Sequence, residues 1–222
     1  MGIFDGVRAT VSFVRLSNDL NRLNEVFKYA ETLRDPKLME EGVAYHMTLP
    51  GGPEALEAKP RIGALDLDTL IQLPEGTLGH EFAKHMKAAN LDPAAIPTLE
   101  AKSPGEYVFA HYYETHDVWH VLTGFGTDKA GELGLQAFYL GQGGPARLSA
   151  MILSAGFLEL LLKEGSWNDR EARLFEIARG YVMGKHAKPL FGIRWNELWG
   201  MPLVELRKRF GIDIETATRA VS

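Results

Sequence analysis

Cysteine is absent from this 222-residue chain. That excludes disulfides, thiolate metal sites, iron–sulfur clusters and a cysteine nucleophile. Any metal must therefore be held by histidine, carboxylates, carbonyls or water. A basic excess is also missing, with Lys+Arg 24 against Asp+Glu 29, a net charge of −5 and a pI near 5.8. Proteins that live on phosphate backbones carry a basic surplus, so no nucleic-acid partner is expected. No stretch reaches the roughly 18 apolar residues of a membrane span. The start, MGIFDGVRAT, lacks the basic-then-apolar pattern of a secretory signal peptide. Gly6 stands where a myristoylation site has Ser or Thr. Period-two alternation and fixed repeats are missing too, which leaves little room for strands or for a solenoid.

What is present reads as a mostly helical fold. Hydrophobic residues make up 45% and charged residues 24%, ordinary for a globular chain and not for a disordered one. Apolar positions recur at helical spacing over 7–34, and Pro36 opens a short helix to Val43. Proline and glycine mark loops over 48–62 and 92–105. Ile62–Leu73 carries a further group of apolar residues. Thr77 is placed to cap a helix through Phe82 and Met86. Glu106–Leu122 reads as one long helix ending at Gly124-Phe125-Gly126, and Asp128 caps the next, through Tyr139 to Gly141. Leu148–Leu162, Asp169–Met183 and Pro202–Phe210 complete the set. The expectation is an all-α, single-domain multi-helix bundle over 1–222. Leu148–Leu162 is apolar almost all round, so it is a central core helix or one that faces lipid, and the first is favoured.

Chemistry concentrates in His111-Tyr112-Tyr113-Glu114-Thr115-His116-Asp117-Val118-Trp119-His120. Residues four apart on a helix share a face, so His116 and His120 can aim two imidazoles at one ion. Asp117 lies three before His120 on the same side, whereas His111 is swung off that face. Glu132 follows on the next helix, just past a short glycine turn, where its carboxylate can meet His120. Two imidazoles with one or two carboxylates suit a divalent ion, zinc or a non-haem iron alike. Spacing alone leaves a metal-free polar face equally open. A metalloprotease would need HExxH, and here Asp117 is one methylene too short to serve as its base. Trp119, Val118, Leu122 and Phe125 are expected in the core. Gly141–Gly144 lacks the Lys-Ser/Thr of a phosphate loop, and Lys185, His186, Lys188 and Arg194 read as a solvated basic stretch.

His116-Asp117-x-x-His120, followed after eleven residues by Glu132, resembles the HDxxH-x11-E signature of the coenzyme Q (ubiquinone) biosynthesis family numbered four. Leu73-Pro74-Glu75-Gly76-Thr77-Leu78-Gly79-His80-Glu81 is similar to that family's LPEGSLGRE segment. Trp195 to Leu203 resembles its tryptophan–proline segment, and Phe210-Gly211-Ile212 its closing LGI. The likeness runs over about 65–213. It departs at His80, where the family has Arg.

The resemblance implies an all-helical fold with an apolar groove or tunnel for an isoprenoid tail. It implies a metal site between two antiparallel helices, with His116, Asp117, His120 and Glu132 as ligands of a divalent ion. Zinc is the usual description, and iron or manganese would also be accommodated. It implies action on a polyprenylated hydroxybenzoate-type ring, replacing the carboxylate of ring carbon one by hydroxyl, with the same four residues catalytic. The expected partners are a polyprenyl quinone precursor or isoprenoid lipid and other quinone biosynthesis proteins. The expected location is cytoplasmic, with peripheral contact at the inner membrane, and a homodimer through apolar helix faces is plausible. The alternative is a non-catalytic isoprenoid-binding scaffold of the biosynthetic complex with a structural metal. The departure at His80 leaves open a relative that takes a different isoprenoid.

Overall fold

The computed structural model describes residues 36–93, 98–143, 146–162 and 167–221, and the helices expected over 7–34 lie outside these. Among the described residues the fold is all-helical, and two of the three segments that resemble the family come together as one unit. Helix α1 runs from Pro36 to His46, α2 from Gly52 to Ala58 and α3 from Leu67 to Leu70. Helix α4, Leu78–Ala88, starts after an extended Thr77. Its first N–H groups would be unsatisfied in an isolated helix. Here Leu78 N–H donates to Met201 O (2.9 Å) and Gly79 N–H to Trp199 O (2.8 Å). A single antiparallel bridge joins Thr77 to Pro202. His80 Nδ1 bonds Leu73 O at 3.0 Å, so the residue that departs from the family pattern ties down this turn.

The stretch read as one helix from Glu106 to Leu122 is two. Helix α5, Pro104–Glu114, begins with a reciprocal cap in which Ser103 and Glu106 each bind the other's backbone N–H. Helix α6, His116–Thr123, follows a break at Thr115, whose ψ is 0°. The Thr115 hydroxyl donates to His111 O at 2.7 Å, a back-bond that bends helices. Gly124 ends α6 in the left-handed region (φ 72°). Asp128 caps α7, Lys129–Gly141, accepting from Gly131 N–H at 2.7 Å.

Helices α8 (Ala146–Leu162) and α9 (Trp167–His186) both pack on α7. Against α9 the backbones nearly touch. A Cβ on Gly180 would lie 2.0 Å from Gly134 O, and one on Gly184 2.4 Å from Phe138 O. Helix α8 is not the central core helix expected. Ser149, Leu153, Gly156 and Glu159 are buried at helical spacing while Ser154 and Phe157 are exposed. Its buried face also carries polar anchors: Ser149 donates to Gln136, and Glu159 meets Lys129 and Arg173. Trp195–Glu197 forms a 3-10 turn, and α10 spans Leu203–Phe210. An unexpected α11, Ile214–Arg219, is capped by Asp213. The core runs through Leu78, Phe82, Tyr107, Trp119, Leu122, Phe138 and Trp195, each 1% exposed or less.

Candidate metal centre

The break at Thr115 makes His116 the first residue of α6, with His120 one turn on. Their Nε2 atoms are 3.1 Å apart and the rings meet edge-on at 88°. Glu132, in the first turn of α7, brings Oε1 to 3.2 Å from His120 Nε2 and Oε2 to 3.5 Å from His116 Nε2. Asp117, His116 and His120 each offer a ligand atom within 4.8 Å of the others. The two imidazoles of α6 thus meet Glu132 from the first turn of α7, and Asp117 groups with the same two imidazoles.

The outward ring nitrogens are also engaged. His120 Nδ1 lies 3.2 Å from Phe125 O. A carbonyl only accepts, so Nδ1 donates to it, and Nε2 is the nitrogen that faces His116 and Glu132. His116 Nδ1 bonds the Tyr139 hydroxyl at 3.0 Å. Metal-bound imidazoles are oriented by such partners on their far side. Tyr139 went unnoticed in the sequence, although it lies seven residues after Glu132 and so on the same face of α7.

The electrostatics favour a cation. Burial pushes the Glu132 carboxyl up, but hydrogen bonds from His116 and His120, and their charge, hold it well below the usual carboxylate range. Burial pushes His116 down, yet the hydrogen bond and charge of Glu132, with Asp117 behind, raise it overall.

Ligand atoms around a four-coordinate ion with bonds of about 2.0–2.1 Å stand about 3.3 Å apart. The separations here, 3.1 Å between the imidazoles and 3.2 and 3.5 Å from them to the two oxygens of Glu132, lie near such an edge, so these residues fit a divalent ion. The cluster is closed on one side and open on the other. His120 is 1% exposed, His116 30% and Glu132 33%.

The family model described as "Coenzyme Q (ubiquinone) biosynthesis protein Coq4" matches residues 12–215. The chain belongs to the Coq4 family. Mitochondrial COQ4 homologues are similar: 31% identity over 168 residues in Xenopus tropicalis (73% of this chain, 58% of that one) and 32% over 168 in Rattus norvegicus (74% and 62%). A COQ4 protein of Eremothecium gossypii shows 26% over 220 residues (97% and 65%). The chain thus spans about three-fifths of the length of these curated relatives. A crystal structure from Nostoc punctiforme, described as a candidate ubiquinone biosynthesis protein, superimposes with a TM-score of 0.80 at 31% identity. That match covers 94% of this chain and 97% of that one.

Other sequence candidates fall elsewhere. His111 is buried against Phe191 and accepts from Gly192 N–H at 3.1 Å, away from the cluster. Trp119, Val118, Leu122 and Phe125 are core residues as expected. Lys185, His186, Lys188 and Arg194 are at least partly exposed. Among the described residues no helix is long and apolar enough to cross a membrane. One residue at the centre was missed altogether. His85, from α4, stacks its ring on His120 at 5.7 Å between centroids and 24° between planes.

Proposed function

We propose that this Coq4-family chain acts in ubiquinone biosynthesis as a metal-dependent enzyme on a polyprenylated hydroxybenzoate-type acid. The reaction replaces the carboxylate of ring carbon one by hydroxyl. The ring-to-carboxyl bond breaks, carbon dioxide leaves, and a ring carbon–oxygen bond forms. This is a two-electron oxidation. If the oxygen comes from water, two electrons and two protons pass to an acceptor. If it comes from dioxygen, two electrons and two protons from a reductant convert the second oxygen atom to water.

The single observation that supports this reading is the half-open donor cluster. His116, His120 and Glu132 would hold the ion, with Asp117 as fourth ligand or orienter. Zinc or another divalent ion bound there would polarise a ring carboxylate or hydroxyl, and a redox-active ion would add oxygen chemistry. The residues themselves do the remaining work. Phe125 O and Tyr139 orient the two imidazoles. Glu132 balances the positive charge, and the opening beside His116 and Glu132 admits an anionic head group. A structural clip would be expected to close its shell with protein ligands, and the one-third exposure of two donors argues against that.

An apolar tail needs an apolar track. Trp167, Leu174 and Tyr181 recur every seven residues along α9 and are 75%, 49% and 49% exposed. This stripe is proposed as the seat of the isoprenoid chain or of contact with the bilayer that carries it.

The test incubates metal-loaded protein with a prenylated hydroxybenzoic acid, under air and under nitrogen, and follows product and released carbon dioxide by mass spectrometry. Product formation by the parent, lost in a folded His116→Ala variant, is the expected result. Parent and variant both binding the acid without turnover would replace the enzyme by the scaffold reading.

A further inference from the structure

We infer that His85 is a further ligand of this metal centre, giving it a donor set of three imidazoles and the Glu132 carboxylate, with Asp117 as orienter and a fifth position open to substrate on the exposed His116–Glu132 side. The inference rests on the metal reading above. Helix α4 packs directly on α6, and this contact lays the His85 ring nearly parallel to that of His120. Its Nε2 is buried and has no hydrogen-bond partner among the described residues. Buried polar atoms left without a partner are rare in folded proteins, and each calls for a missing partner such as an ion. The electrostatic surroundings of His85 are the cluster itself: His120, Asp117, Glu132 and His116 all act on it. Two rings bound to one ion at about 2.1 Å through Nε2 place their centroids about 5 Å apart. The observed spacings are 4.7 Å for His116–His120 and 5.7 Å for His85–His120.

The placement of His85 is held from outside the site. Helix α4 is anchored at its start by Met201 and Trp199 carbonyls, and Gly79 packs against Leu73 and Trp199 with no room for a Cβ. The joined Leu73–Glu81 and Trp195–Leu203 segments thus serve as the bracket that presents an imidazole to α6. A third nitrogen donor also shifts the choice of ion. Imidazole suits zinc and iron, whereas carboxylate, carbonyl and water suit magnesium, calcium and manganese.

The test uses full-length, metal-stripped protein and four forms: parent, His85→Gln, His85→Ala and His120→Ala. Zinc and manganese affinities are measured by chelator competition, and cobalt(II) is added to read ligand number and type from its visible absorption. Thermal melts of the stripped forms verify folding. Both His85 variants are expected to fold and to bind zinc at least tenfold more weakly, the low end for loss of even an outer partner. They should also lose less affinity for manganese than for zinc and show an altered cobalt spectrum. Parental zinc affinity and cobalt spectrum in both His85 variants, with binding lost in His120→Ala, would overturn the role of His85 and leave the centre intact. Parental binding in His120→Ala would overturn the centre itself, and the inference with it.

Discussion

Glycine-to-alanine substitutions separate the packing that holds this fold from the packing that holds the site. An alanine Cβ at Gly180 would sit 2.0 Å from Gly134 O, and real Cβ contacts are essentially never closer than 3.0 Å, so α7 and α9 must part by about 1 Å. The obstacle is backbone, which no rotamer change relieves. Such overpacking costs about 1–3 kcal/mol, occasionally more. Alanine returns up to about 1 kcal/mol through helix propensity. The net expectation is a loss of about 1–2 kcal/mol, or roughly 2–8 °C in Tm for a chain of this size. The outer helix should yield, because α7 is pinned elsewhere. Gly134 abuts the Phe125 ring, and a Cβ on Gly131 would lie 2.1 Å from Gly126 O. Gly180→Ala should therefore lower the urea midpoint while zinc affinity stays parental. Gly131→Ala should instead displace Glu132, which needs only about 1 Å of movement to leave the 3.2–3.5 Å range of both imidazoles, and lower zinc affinity tenfold or more. Gly42, where a Cβ would meet nothing within 4 Å, is the control and should lose nothing as alanine. A Gly180→Ala protein as stable as its parent would refute the close-approach argument.

Three further outcomes follow from the same geometry. In the metal-free protein, the raised His116 stabilises the fold below its ordinary value of 6.5, and this is lost as pH rises through the raised value. The lowered Glu132 stabilises above its ordinary 4.5, and this is lost as pH falls through the lowered value. Urea midpoints of parent and Glu132→Gln should therefore differ most between pH 4.5 and 6.5, and a difference that is flat with pH would contradict the pairing. Tyr139→Phe keeps the buried ring but removes the partner of His116 Nδ1, so zinc affinity should fall about 10–100-fold with little change in the melt of the stripped protein. His111 is buried neutral with a value pushed down to about 4, so its contribution is full above pH 6.5 and declines as pH falls towards 4. His111→Ala should destabilise by about 1–3 kcal/mol through the orphaned Gly192 N–H and leave zinc stoichiometry unchanged.

Much of the site was legible because its geometry is local. His116 and His120 share a helix face by their spacing alone, and a cap at Asp128 sets where Glu132 begins the next helix. Tyr139 was legible by the same period and was overlooked. His85 was not legible, because nothing in the spacing of α4 relates it to α6, and only tertiary packing stacks the two rings. The single helix expected over Glu106–Leu122 failed at Thr115, a residue that continues a helix by pattern and bends it by bonding back to His111 O. Helix α8 failed differently. Its composition is apolar on every side, but its buried face is chosen by small and polar residues, with Gly156 against Leu133, Ser149 on Gln136 and Glu159 between Lys129 and Arg173. Helix α2 was hidden because Gly52 and Pro53, which mark loops elsewhere, here form a helix's first turn after a left-handed Gly51.

The break at Thr115 does more than divide a helix. Tyr112 and His116, four residues apart across it, both pack on Tyr139, but Tyr112 is buried with its hydroxyl on His46 Nε2 at 2.9 Å, while His116 turns to Glu132. The inner face of α5 can then fill the core around Phe191 with Tyr107, His111 and Tyr112, and α6 is free to aim both imidazoles at α7. Because Val118, Trp119 and Leu122 of α6 are fully buried, the orientation of that helix is set by the core and not by an arriving ion. Donors fixed in this way lose little freedom on binding, so more of the binding energy is retained. Rigidity on the His120 side and exposure at His116 and Glu132 are the combination a reacting centre needs, with ligands held in place and one face left for substrate.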